Sequence, residues 1–201
     1  MEKIDLKKEI SSYKSKHNKF EIITVPKLNY LMIDGQGDPN TSSEYAKTVE
    51  LLYSFAYKLK FLSKRELGKD YVVGPLEGLW WSSDMNDFNT RNKSNWEWTM
   101  MVVTPDWITK EHFAKIKNLL IENHLIEEIR LQELDEGLSV QTLHIGSYDD
   151  ETPVLEKLHK EFLPANNLKP TFKHHEIYLS DPRRVSADKL KTILRQPVSK
   201  A

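Results

Sequence analysis

The sequence predicts an α+β protein built from two similar modules, each with several strands and one covering helix. Three observations lead there. Short β-branched runs alternate with segments of helical apolar spacing, and the order strand, strand, helix, strand, strand occurs twice. The two halves also echo each other locally, LMIDGQGDPNTSSEY against TLHIGSYDDETPVLE, each an apolar strand, a glycine, an acidic turn and a helix start. A chain of 201 residues is long enough to bury a core under helices that cover one face of each sheet.

The elements follow in order. Residues 1–19 are polar and Lys-rich and read as a short arm. Phe20 to Val25 is a strand ended by Pro26, and Leu28 to Ile33 a second one stopped by the turn Asp34-Gly35-Gln36-Gly37-Asp38-Pro39. Thr41 and Glu44 have capping-box spacing, and Tyr45, Val49, Leu52, Ala56 and Leu59 recur on one face of the helix that follows, predicted over 42–62. Tyr71 to Trp81 and Trp96 to Thr104 are strands, joined by a polar link, Ser82 to Ser94, that is long for a hairpin. Thr109 opens a linking helix, about 109–124, that buries Phe113, Ile116 and Leu120.

The pattern then restarts. Glu128 to Leu134 and Leu138 to Ile145 read as a hairpin turned at Asp135-Glu136-Gly137. Pro153 suits a first helical turn, and Leu155, Leu158 and Phe162 form the stripe of a helix over about 150–165. His174 to Leu179 is a strand, and Ile193 to Val198 a last one, where Pro197 is expected only at a sheet edge. This places module 1 at about 20–105 and module 2 at about 127–198, with both module helices on the outer side.

Composition excludes several function classes. The formal charge is −1 with Lys and Arg scattered among nearly equal numbers of acids, so there is no basic stripe for nucleic acid. No cysteine is present, which removes disulfides, thiolate metal sites and Cys nucleophiles. No apolar run approaches the ~20 residues of a membrane span, and MEKIDLKKEI lacks the apolar centre of a secretory signal. A soluble, cytoplasmic protein without membrane partner is expected. The seven histidines lack ligand spacing, and His174 and His175, adjacent on a strand, point apart. Neither a metal nor a cofactor is implied. His144 reads as a satisfied core or cleft histidine.

The stretch KHHEIYLSDPR, residues 173–183, carries the chemistry. Strand alternation puts His175, Ile177 and Leu179 on one face and His174, Glu176 and Tyr178 on the other. The aliphatic pair is expected to pack on the helices, leaving Glu176 on the helix-free face. There it is either ordinary and solvated or on the wall of a cleft where two bare sheets meet. Four of the five tryptophans, Trp80, Trp81, Trp96 and Trp98, fall close together in sequence, as core or as a binding wall. Glu77, in PLEGLWW, is either an exposed strand-end residue or a counterpart of Glu176.

Together the segments YLMIDGQGDPN, DYVVGPLEGLWW, WEWTMMVVTPDWIT, VQTLHIGSYDDE and HHEIYLSDPRR resemble the GyrI-like small-molecule-binding domain family, closest to its stand-alone bacterial branch. The resemblance runs from about Phe20 to Val198. It implies two pseudo-symmetric strand–helix–strand–strand modules around a central ligand cleft that takes flat aromatic, often cationic compounds. Glu176 matches the family's cleft glutamate. Regulators of this family carry a preceding helix-turn-helix, for which some twenty residues before the first strand are too few. Other stand-alone members resemble hydrolases that open the cyclopropane of DNA-alkylating natural products, or drug-binding and gyrase-inhibiting proteins. For the hydrolase, the residues in hand supply Glu176 as general base, Tyr178 or Tyr71 as oxyanion donor, and Trp80, Trp81 and Trp98 as aromatic walls, with His174 and Met32 as further ligand contacts. The same residues serve pure binding.

Overall fold

The computed structural model describes residues 2–82 and 93–201, so the Ser82–Ser94 link lies almost wholly outside the described residues. In chain order the strands are β1 (Lys3–Asp5), β2 (Glu21–Val25), β3 (Leu28–Gln36), β4 (Asp70–Val72), β5 (Leu76–Trp81), β6 (Glu97–Thr104), β7 (Arg130–Leu134), β8 (Gly137–Ile145), β9 (Leu168–Pro170), β10 (His174–Tyr178) and β11 (Lys191–Lys200). The main helices are α1 (Ser43–Leu62), α2 (Lys110–Leu119) and α3 (Thr152–Lys157). Among the described residues no helix is long and apolar enough to cross a membrane. The α+β class read from the sequence is the class observed.

The chain folds into two compact units. The first takes the N-terminal residues through Glu9 and Leu28–Leu134; the second takes Ile10–Lys27 and Asp135–Ala201. In the first unit, β6 lies between β5 and β3, and β3 also pairs with β7, all antiparallel. Helix α1 is capped by Ser42, one residue beyond the predicted Thr41, whose side chain accepts the N–H of Tyr45. It buries Leu51, Leu52, Phe55 and Leu59, and Phe55 stacks on Phe113 of α2 with ring centroids 4.9 Å apart. The start of the chain is built in: β1 runs parallel to β4.

In the second unit, β8 pairs with β2 and β11, and β11 pairs with β10 and β9. After α3 the helix continues through a wider turn, Leu158–Phe162, to Leu163–Ala165. Its apolar side meets the sheet in a cluster of Val140, Leu158, Leu163, Leu168 and Val198, with Phe20 and Phe162 beside it.

Three expectations are corrected. The proposed hairpin of 128–134 and 138–145 does not form, because β7 pairs with β3 while β8 pairs with β2 and β11. Consequently β2 belongs to the second unit and β7 to the first, which shifts both predicted module boundaries. The last strand is internal and not an edge. Pro197 sits where one side of β11 passes from β10, last paired at Arg195↔His175, to β9, first paired at Val198↔Pro170. A gap in the ladder there accommodates the missing N–H.

Candidate functional site

Strand register sorts the second sheet into two faces. Glu176 pairs with Leu194, and Leu194 with Thr142; Gln196 pairs with Val140. Alternation therefore puts His174, Glu176 and Tyr178 on the same face as Val140 and Val198. That is the face packed by the α3 segment. The expectation of a helix-free face for Glu176 is overturned. The reason lies on the other face, which is claimed by a buried charge network that needs His175.

On its helix-bearing face, Glu176 is mostly buried, its side chain 14% exposed. Each carboxylate oxygen has its own neighbour. Tyr178 donates its hydroxyl to Oε2 at 2.7 Å, and Nε2 of His174 lies 3.7 Å from Oε1. Tyr148, in the 3₁₀ turn that leads into α3, sets its ring edge-on to Tyr178 with centroids 5.6 Å apart. Burial, then the charges of Glu151, Glu176 and Asp181, push the Tyr148 hydroxyl up to about 12, so it stays a proton donor at neutral pH. Sequence reading missed Tyr148. Its only signal was its place just after the glycine that ends β8.

His174 is held down to about 3 by burial, then by the charges of His159 and His175, against an opposing pull from Glu136. It is neutral at physiological pH. In the unfolded chain it titrates near 6.5, so the unfolded state takes up the proton first. The stability that this histidine supports is present above pH 6.5 and is lost as pH falls toward 3. His159, also lowered by burial, acts in the same direction. Urea midpoints measured from pH 7.5 to 5 should fall, and His174→Gln should flatten part of that fall. An unchanged slope in the variant would show that His174 does not carry it.

On the opposite face, Glu136 is 6% exposed although DEG reads as a turn. His175 and Arg195 are direct cross-strand partners, and both reach Glu136: His175 Nδ1 to Oε1 at 2.9 Å and Arg195 Nη1 to Oε2 at 2.7 Å. Arg195 also donates to Gln141 Oε1 at 3.1 Å and to the Ser12 carbonyl at 2.8 Å. Burial works to raise the Glu136 carboxyl, but the charge and hydrogen bond of His175, then those of Arg195, outweigh it and hold it at about 2.

The first unit separates the tryptophans. Trp80 and Trp98 are direct cross-strand partners, so they share a face. Tyr45 of α1 lies against both, with centroids 6.4 Å and 5.3 Å away. Trp98 is fully buried and Trp80 is 4% exposed. Both are core beneath α1 rather than an open wall. The indole of Trp98 lies on Gly35, where an added Cβ would collide with the six-membered ring. Gly35→Ala should therefore destabilise the protein by about 1–3 kcal/mol or more through overpacking, read from urea denaturation. A shift below about 0.5 kcal/mol, the size of an ordinary surface change, would mean the contact gives way freely.

The opposite face of this sheet carries Trp81, Glu77 and, across the strands, Met32. Glu77 is fully buried and Tyr30 directs its hydroxyl at it from 3.5 Å, so the exposed strand-end reading does not hold. Tyr71 is closed off against Trp107, ring centroids 6.1 Å apart, and burial alone pushes its hydroxyl far up. His144 gives Nε2 a partner in the Ser147 carbonyl at 3.0 Å, as a satisfied histidine does. A surface cavity of about 520 Å³ lies in the second unit, lined by Ile145, Leu179, Ser180, Val185, Lys189 and Lys191. None of Glu176, Tyr178 and Tyr148 lines it.

No curated protein matches the sequence. Among solved structures, an uncharacterized conserved protein from Listeria innocua is 38% identical with a TM-score of 0.88, matching 98% of this chain and 100% of its own. Two proteins described as hydrolases from Listeria innocua are 36% and 37% identical, with TM-scores of 0.84 and 0.85 and the same coverage. The GyrI-like small molecule binding domain matches residues 18–199, nearly the whole chain. The protein thus belongs to the GyrI-like small-molecule-binding domain family.

Proposed function

We propose that this small-molecule-binding protein is a hydrolase that opens the activated cyclopropane of DNA-alkylating natural products with water. The observation that carries the reading is the partly buried Glu176–Tyr178 pair at 2.7 Å, with the Tyr148 ring alongside. A general base must meet the proton it takes, and a donor must meet the oxygen that gains charge. Glu176 takes a proton from water as the water oxygen bonds to a ring carbon. The strained C–C bond breaks, and its electron pair passes through the conjugated system to the carbonyl oxygen. The Tyr148 hydroxyl donates to that oxygen, since Tyr178 gives its one hydrogen to Glu176. The product is the substrate plus one water. The Listeria innocua proteins described as hydrolases support the reaction class.

The second reading, a non-catalytic drug-binding or gyrase-inhibitor-like protein, uses the same carboxylate and rings to hold flat aromatic or cationic compounds. Mass spectrometry separates the two. A hydrolase converts many equivalents of a cyclopropanoid alkylator to a species heavier by one water. A binder yields one equivalent of complex with unchanged ligand mass, and that result would replace the first reading by the second.

A further inference from the structure

We propose that His174 is a further catalytic residue, holding the attacking water against Glu176 by accepting its second hydrogen. The inference rests on the hydrolase reading and names the other half of its water site. His174 and Glu176 are two apart on β10 and so project from the same face. The Nε2–Oε1 distance of 3.7 Å is too long for a direct hydrogen bond and fits two groups that share one water. Tyr178 donates to Oε2, and Oε1 is the oxygen that lies toward His174.

The state of the imidazole agrees. Both ring nitrogens are buried and meet no hydrogen-bond partner among the described residues. A buried polar atom left unpaired is costly and signals an intended partner. His174 is neutral, held down to about 3 by burial, then by His159 and His175, so one nitrogen keeps a lone pair for a water hydrogen. A water bound this way gives one hydrogen to Glu176, where it is transferred, and the other to His174. An oxygen lone pair then faces the ring carbon, and no proton is left on the histidine. Its part is orientation at the reacting atom, a large component of rate.

Two measurements test this. A high-resolution crystal structure of the ligand-free protein should show an ordered water within hydrogen-bond distance of both His174 Nε2 and Glu176 Oε1. No such water, in a map that shows other buried waters, overturns the proposal whatever the substrate. In solution, His174→Phe should lower water-dependent ring opening at saturating substrate roughly 10- to 100-fold. His174→Gln, which keeps an acceptor, should recover part of the loss. Azide, a nucleophile that needs no deprotonation, should open the ring at similar rates in parent and variants. Parental water turnover in both variants overturns the role of His174 while leaving the hydrolase reading intact. A parent protein with no turnover removes both. If His174→Phe does not fold, the Gln variant and the water position still decide.

Discussion

Glu176→Gln is expected to lower cyclopropane opening by roughly 10²–10⁴-fold, the usual cost of losing a general base. The exchange keeps the side chain's shape and an oxygen to accept from Tyr178, which donates at 2.7 Å. It removes the negative charge and the capacity to take a proton. Affinity for a neutral planar substrate should stay within about threefold, whereas planar cations should bind more weakly because their counter-charge is gone. Single-turnover rates beside equilibrium titrations separate these effects. A variant that turns over at the parental rate would strike Glu176 from the mechanism.

The largest stability effect is expected on the other face of the same sheet. Glu136→Ala leaves Arg195 and His175 buried without their anion, and removing one partner of such a network costs about 3–5 kcal/mol. Urea denaturation at neutral pH measures it. A loss under about 1 kcal/mol would place the network among exposed ion pairs, which contribute little. Because the Glu136 carboxyl is lowered from 4.5 to about 2 on folding, its contribution is complete above pH 4.5 and is lost as pH falls through about 2. The Ala variant should therefore lose less stability than the parent when acidified across that interval.

These two carboxylates show what the sequence could disclose. Element types were legible because periodicity reports local geometry: the stripes of α1 and the α3 segment and the alternation of β10 all lie where their spacing placed them. Glu176, Tyr178 and His174 were legible as neighbours for the same reason, being two apart on one strand. The facing was misjudged because Ile177 looked like the core side of β10, while the deciding partner of that face was Glu136, distant in sequence and disguised in a turn-like Asp-Glu-Gly. A buried salt network has no local signature. Strand partners failed likewise: nothing around Asp135 says that the strand before it pairs with β3 and the one after it with β2 and β11. The splitting of Trp80 from Trp81 follows from alternation, but which indole meets the helix depended on where α1 lies.

The exchange of strands between the units has a consequence for biosynthesis. As the chain leaves the ribosome, Glu21–Val25 emerges early, yet its ladder partner Gly137–Gln141 is made only much later. The apolar Ile22 and Ile23 must wait unpaired through synthesis of nearly the entire first unit. That unit in turn stays open along β3 until Arg130–Leu134 appears. Neither half can close before residues 130–141 have been made, and long-range pairing of this kind is slow and exposed to aggregation in the meantime. Fragments cut between residues 105 and 130 should each lack a strand that only the other supplies.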